Sequence, residues 1–238
     1  MKIMTFNIQH CLDYKKQVID FDLFADAIKK YDVDVCGLNE VRGEGPLEDY
    51  TDQTNILGDK LGYYRYFGEA IKVKNTSPYG NAIVSRYPVK SVETIKIPDP
   101  YFRFRHTTFE TRCVIKAIIN IDGTDICFLV THMGLAHSER KNAVKTICSI
   151  VDDIDIPLIL MGDFNAEPDD KVFEPLYKRL YDTQEKSVNP HVKTFPSDNP
   201  RTKIDYIFFK NIDCIKTETV TEVFSDHLPI ISQFEVKT

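Results

Sequence analysis

The residues of this chain that are equipped for chemistry stand at the ends of apolar runs. In LILMGDFNAEP, residues 158–168, four apolar residues and a glycine lead straight into Asp163 and Asn165. A carboxylate at the end of a buried run is costly unless something compensates it. The arrangement recurs: KIMTFN ends in Asn7, VDVCGLNE in Asn39 and Glu40, and ICFLVTH in His132. KIDYIFF opens its apolar run at Asp205, and FSDHLPI sets Asp226 beside His227 just before a last apolar run. In sheets of parallel strands, ligands gather beyond the carboxyl ends. If these strands share one direction, their polar heads meet at one rim. Such an oxygen-rich rim suits a hard cation, magnesium or manganese, which neutralises phosphate oxygens and steadies a leaving alkoxide. Either Asp205 or Asp226 would orient His227 as a general base for water. No serine or cysteine stands in a nucleophile motif, so these types together describe metal-assisted phosphoester hydrolysis. Asp163 and Asn165 would then face the phosphate and its attacking water. His10, close behind Asn7, is a further candidate for the rim.

Elements of both periods are needed to hold these residues. KIMTFNI, VDVCGLNE, NAIVS, SVETIKI, RCVIKAIINI, TDICFLVTH, LILM, KIDYIFF, a stretch near 213–222 and LPIISQFEV read as strands. Asp122-Gly123 between two of them is a hairpin turn. DFDLFADAIKKYD, TDQTNILGDKLG, HSERKNAVKTICSIVDDI and a short stretch near 170–181 read as helices. Strands outnumber helices, and hairpins mix with crossovers, which two packed sheets flanked by helices would explain. Residues 1–238 contain no repeat, low-complexity segment or linker and read as a single domain.

Composition narrows the classes. The 238 residues are 42% hydrophobic and 28% charged, enough for a core without staples. None of Cys11, Cys36, Cys113, Cys127, Cys148 and Cys214 forms a C-x-x-C pair; they are expected to be reduced thiols of a cytoplasmic protein. No apolar run approaches a membrane span, and the opening MKIMTFNI is no export signal. A net charge of −6 argues against a protein that binds by coating phosphates with cations. One segment points the other way. PDPYFRFRHTTFE, residues 98–110, interleaves aromatics with Arg103, Arg105 and His106, a pattern able to clamp a nucleic-acid strand or a sugar phosphate.

Eight stretches in order, TFNI, GLNEV, GNAIVSRYP, ETR, THMG, GDFN, KIDYIF and SDHLPI, give a resemblance over essentially the whole chain. The sequence resembles the endonuclease/exonuclease/phosphatase superfamily, the deoxyribonuclease I-like hydrolases. The resemblance implies an α/β (α+β) fold, a four-layer α/β/β/α sandwich with its site at one end of two mixed sheets. It implies Mg2+ (or Mn2+) held chiefly by Glu40, with Asn7 and Asp226 close by. It implies His227 as general base oriented by Asp205, Asp163 and Asn165 positioning water and phosphate, and His132 stabilising phosphate charge or the leaving group. Arg112 would be a second contact to phosphate. There are departures. Asn39 stands where relatives usually carry glutamine, Gln9 where abasic-site endonucleases carry an aspartate, and His132 where those enzymes carry tyrosine. The chain also lacks tryptophan. These argue against abasic-site repair.

The expected activity is hydrolysis of a phosphoester, whether a small molecule, a lipid headgroup or a nucleic acid, by a monomer not inserted in a membrane. The alternative within the enzyme class is a nuclease acting on DNA or RNA. A catalytically inactive binding protein of the same fold is opposed by the presence of every rim residue.

Overall fold

The computed structural model describes residues 1–102 and 109–236. The chain opens with β1 (Lys2–Asn7), a left-handed turn at Gln9–Cys11 and a small ribbon of β2 (Leu12–Asp13) and β3 (Val18–Ile19). Helix α1 (Phe21–Lys30) follows, its first turn capped by Asp20, whose carboxylate accepts from Leu23 N at 3.0 Å. Such a cap contributes about 1 kcal/mol. Then come β4 (Val35–Arg42), α2 (Gln53–Leu61), and the hairpin of β5 (Tyr64–Val73) and β6 (Ser77–Ser85). The second half runs β7 (Val89–Lys96), β8 (Cys113–Ile121), β9 (Thr124–His132), α3 (His137–Asp152) and β10 (Leu158–Asp163). It ends with the short α4 (Glu174–Tyr177), β11 (Tyr181–Asp182), β12 (Asp205–Lys210), β13 (Asp213–Thr219) and β14 (Ile230–Glu235).

Two six-stranded mixed sheets form, in the orders β13-β14-β1-β4-β6-β5 and β11-β12-β10-β9-β8-β7. The alternation of side chains along each strand divides the apolar residues between two layers. On β1, β4, β9 and β10, Ile3, Val35, Phe128, Val130, Ile159 and Met161 point between the sheets. Met4, Phe6, Cys36 and Leu38 point outward to Phe24, Ile28 and Leu57 of α1 and α2. Cys127, Leu129, Leu158 and Leu160 point outward to Ala143, Ile147 and Leu176 of α3 and α4. The result is the expected four-layer α/β/β/α sandwich. All six cysteines are buried and free. No helix of the described residues is long and apolar enough to cross a membrane.

Most elements stand where the sequence places them, and Asp122 and Gly123 both take positive φ (51° and 90°), as a tight hairpin requires. The strand β5 goes beyond that expectation. Its residues are mostly exposed or half-buried and mix charge with aromatics, so no single period stands out. The helical stretch near 170–181 is shorter than expected: a 3-10 turn, one turn of α4 and the two residues of β11.

What positions the site is strand direction. β1 runs parallel to β4 with Asn7 opposite Asn39, and β10 runs parallel to β9 with Asp163 opposite His132. β12 is antiparallel to β10, so its first residue, Asp205, lies opposite Asp163. Gly162 makes the last step of β10 possible. Its φ of 146° is hard for any side-chain-bearing residue, and a Cβ there would strike the Thr131 carbonyl oxygen of β9. Gly162→Ala is therefore expected to cost about 3 kcal/mol or more, read as a lowered urea midpoint with an unchanged slope.

Candidate active site

Asn7, Asn39, His132, Asp163 and Asp205 occupy the inward-facing positions of their strands, in phase with Ile3, Val35, Val130, Met161 and Ile207. Strand period alone thus aims them all into the space between the sheets. Asp163 is the hub. Its Oδ1 accepts from Asn165 N at 2.9 Å and its Oδ2 from Asn7 Nδ2 at 3.2 Å. His132 Nε2 lies 3.4 Å from Oδ2 on one side and His227 Nε2 lies 3.7 Å on the other. His227 Nδ1 donates to Asp205 Oδ2 at 2.9 Å, and the Phe195 ring backs the imidazole at 4.8 Å. Asp205, not Asp226, is therefore the partner that orients His227.

His132 is fixed from both edges. Arg112 Nη1 donates to its Nδ1 at 3.2 Å, and Arg112 Nη2 pairs with Glu110 at 3.0 Å. Because a guanidinium only donates, the ring proton sits on Nε2, toward Asp163. Asn165 Nδ2 donates to Met133 O at 2.8 Å and lies 3.1 Å from that same ring nitrogen.

Beneath these groups, Asn39 joins the two sheets. Its Nδ2 donates to Thr131 O (2.8 Å) and Asn81 Oδ1 (2.9 Å), and its Oδ1 accepts from Asp163 N (2.9 Å). Glu40 comes next in sequence and by strict alternation would point into the helix layer. A bulge between Leu38 and Val41, with Glu40 at φ 60°, returns its carboxylate to the rim. There Glu40 Oε1 accepts from Asn7 Nδ2 at 3.1 Å.

These groups line a cleft of about 410 Å³, with Glu40, Asp163, Asp226, His132, His227, Arg112 and Asn165 in its wall. Tyr79, Glu110, Leu135, Glu139, Phe195 and Ile204 complete it. None of these six is among the site residues that the sequence pattern points to. They come from a hairpin strand, loops and a helix start, where no apolar run announces a polar end. His10 is not in the wall; its carbonyl instead accepts from Gln53 Nε2 at 2.8 Å, and burial beside Arg42 lowers its imidazole to about 4. Arg103, Arg105 and His106 lie outside the described residues.

The electrostatics separate the two histidines. Burial, then the charges of Arg112 and His227, hold His132 well below its usual value, so it is neutral. Burial also opposes charge on His227, but Asp205 and Asp163 outweigh it and raise the imidazole to about 10. Asp163 is raised to about 7, chiefly by burial, with His227 acting against that and Asp205 adding to it. In the His227–Asp163 pair the proton thus sits on the imidazole at neutral pH. Burial raises Glu40 too; the Asn7 amide works against this and the charge of Asp226 adds to it.

Two donor sets are candidates for a cation. Asp163, Asp205 and His227 place one ligand atom each within 4.8 Å of one another. The hydrogen bond from His227 Nδ1 to Asp205 already uses the facing atoms of that pair, so this trio reads as a proton-handling group. Glu40 and Asp226 fit a hard cation better. Both are carboxylates in the cleft wall, they repel each other, and neither has an ion-pair partner among the described residues. Asn7, expected close to the cation, accepts from Gln9 N at 3.1 Å with its Oδ1, and its NH2 group bridges Glu40 and Asp163.

The profile of the Endonuclease/Exonuclease/phosphatase family matches residues 4–227, from β1 to the second histidine of the site. The chain belongs to that family. Members of the family are metal-dependent phosphoester hydrolases. The chain is 22% identical over 250 residues to the uncharacterized protein YbhP of Escherichia coli K12, covering 99% of this chain and 96% of that one. It is similar in fold to an endonuclease/exonuclease/phosphatase family protein from Leptotrichia buccalis, with a TM-score of 0.80, 23% identity and coverage of 99% and 100%. A mannosyl-6-phosphatase from Bacteroides thetaiotaomicron superposes with a TM-score of 0.78 at 15% identity, covering 99% of this chain and 100% of that one.

Asn39→Ala tests the join under the family's site. It leaves Asp163 N and Thr131 O buried without partners, at about 1–3 kcal/mol for each. Denaturant unfolding should show a loss of roughly 3 kcal/mol; a loss below that of an ordinary surface substitution would show the join to be dispensable.

Proposed function

We propose that this protein is a hydrolase of small phosphoesters, dependent on Mg2+ or Mn2+, in which Asp163 takes the proton of the attacking water. The observation that carries the reading is the placement of the Asp163 carboxylate between two imidazoles, one held from behind by the Arg112 guanidinium and the other by the Asp205 carboxylate. A cation on Glu40 and Asp226 would supply charge neutralisation at the phosphate oxygens and at the leaving oxygen. The chain's own groups do the rest. Asn7 and the Asn165 backbone hold the Asp163 carboxylate in one orientation. Its raised proton affinity matches it to accept a proton near neutral pH. His227, kept charged by Asp205, donates to a phosphate oxygen as negative charge develops there. Neutral His132, with its proton on Nε2, donates from the other side, while Arg112 holds that ring and lies in the cleft wall as a contact for phosphate. This differs from the sequence expectation of His227 as the base. An imidazole pressed between two buried carboxylates keeps its proton.

The lining favours a small ester over a nucleic acid. Arg112 is the one lysine or arginine among the described cleft residues, against Glu40, Glu110, Glu139, Asp163 and Asp226. A polynucleotide would bring flanking phosphates to that acidic wall and find few cations to neutralise them. The similarity to a mannosyl-6-phosphatase supports a small ester as well.

Turnover of p-nitrophenyl phosphate and of bis-p-nitrophenyl phosphate, with each metal and with chelator, tests the reading. Activity should vanish on chelation. Glu40→Gln should raise the metal concentration for half-maximal rate and reduce turnover by about 100-fold or more; an unchanged metal titration would place the cation elsewhere. The pH profile has a definite sign. As pH falls through about 7, Asp163 is protonated and the rate should fall. A bound cation would move that limb lower, never higher. Asp163→Asn should collapse turnover and remove the limb, whereas a limb retained by the variant would return the base to His227.

A further inference from the structure

A second cavity, larger than the cleft, lies away from it among the described residues. It is a groove of about 640 Å³ on the outer face of α3, walled on its other side by residues 171–179. On α3 it is lined by His137, Lys141, Val144, Lys145, Cys148 and Asp152. Their spacing of three, four and seven keeps them on one helix face, so the groove follows the helix for about 22 Å at its rise of 1.5 Å per residue. The opposite wall brings Lys171, Val172, Pro175 and Arg179.

The floor and the rim differ in kind. Val144, Cys148 and Val172 form a floor that is 3%, 8% and 5% exposed. Lys141, Lys145 and Lys171 stand exposed along the rim, and none has an ion-pair partner among the described residues. Arg179 closes the far end and is held by two bonds to Asp152, at 2.7 and 2.8 Å. Four cations therefore face one carboxylate, already paired, in a chain whose net charge is −6. In a chain with more acids than bases, so one-sided a cluster around an apolar slot marks a place for an anion.

The kind of anion follows from the lining. No Phe, Tyr or Trp lies in the groove and His137 is its single ring, so successive bases have little to stack on and a single-stranded nucleic acid is disfavoured. A free inorganic ion would gain nothing from the valines and proline. The volume falls in the range of sites for small ligands, and the run of lining residues along the helix suits an alkyl chain. We propose that this groove binds a single-chain anionic amphiphile, its alkyl chain on Val144, Val172 and Pro175 and its acidic head among Lys141, Lys145 and Lys171. The site is separate from the hydrolytic cleft, and the proposal stands whether or not the cleft hydrolyses phosphoesters.

Dodecanoate, below its micelle concentration, is the probe, because it carries no ester for the cleft to cut. Titrated into the full chain, it should shift the methyl resonances of Val144 and Val172 saturably. It should bind about tenfold or more tightly than acetate or dodecyl maltoside, each of which lacks one half of the recognition. Lys145→Glu combined with Lys171→Glu should weaken binding by about tenfold or more and leave turnover in the cleft unchanged. Lys141→Ala, a milder surface change, should weaken it several-fold. Equal binding by wild type and both variants would overturn the proposal, as would shifts confined to cleft residues. So would poly-glutamate binding as tightly as dodecanoate, since the apolar floor would then play no part and the groove would be a peptide surface.

Discussion

Everything at this site depends on amide groups that cross from one sheet to the other. Two apolar sheets packed face to face have no directional reason to stop in one register. The side chains of Asn39 and Asn7 supply one. The first reaches the backbone of β9 and β10, and the second reaches the Asp163 carboxylate. In a low-dielectric interior such bonds are stronger than in water, and the penalty for leaving any of them unmade is larger still. The sheets are thereby held in the arrangement that sets Asp163 between His132 and His227. The constraint that orders the core also sets the catalytic geometry.

That arrangement concentrates charge where charge is expensive. Asp163 and Asp205 are each 1% exposed and His227 is 4% exposed. The charge on His227, set between Asp205 and Asp163, offsets the charge of the two carboxylates. The same crowding separates the two histidines into a charged one and a neutral one, although their side chains approach the same carboxylate oxygen. Their second partners decide it: a carboxylate behind His227, a guanidinium behind His132.

Much of this was legible in the sequence, for a physical reason. Strand alternation fixes a side chain's face relative to its neighbours. A polar residue an even number of positions along a strand from an inter-sheet isoleucine, valine or methionine therefore points between the sheets as well. Asn7, Asn39, His132, Asp163 and Asp205 could be read in this way. Glu40 is legible as the polar end of its run but not by alternation, because its direction depends on a bulge that adds a residue out of phase. Tyr79 and Phe195 were invisible as cleft residues, since nothing in their local pattern says that a hairpin or a loop will fold over the rim. The separate protonation of the two histidines is also out of reach of the sequence. It depends on which charges meet across the sheets, and no stretch of sequence carries that information.

The order of strands in the first sheet has one more consequence. Its middle holds β1 beside β14, so the sheet that begins with the first residues is completed by the last strand. Asn7 meets His227 across a sequence separation of 220 residues. Contacts of such separation form late and slowly, because a long loop must be closed before they return anything. During synthesis the edge of β1 that faces β14 stays unpaired until residues 230–235 have emerged. The proton-handling group is assembled in that same closing step, so a partly made or partly unfolded molecule is chemically silent.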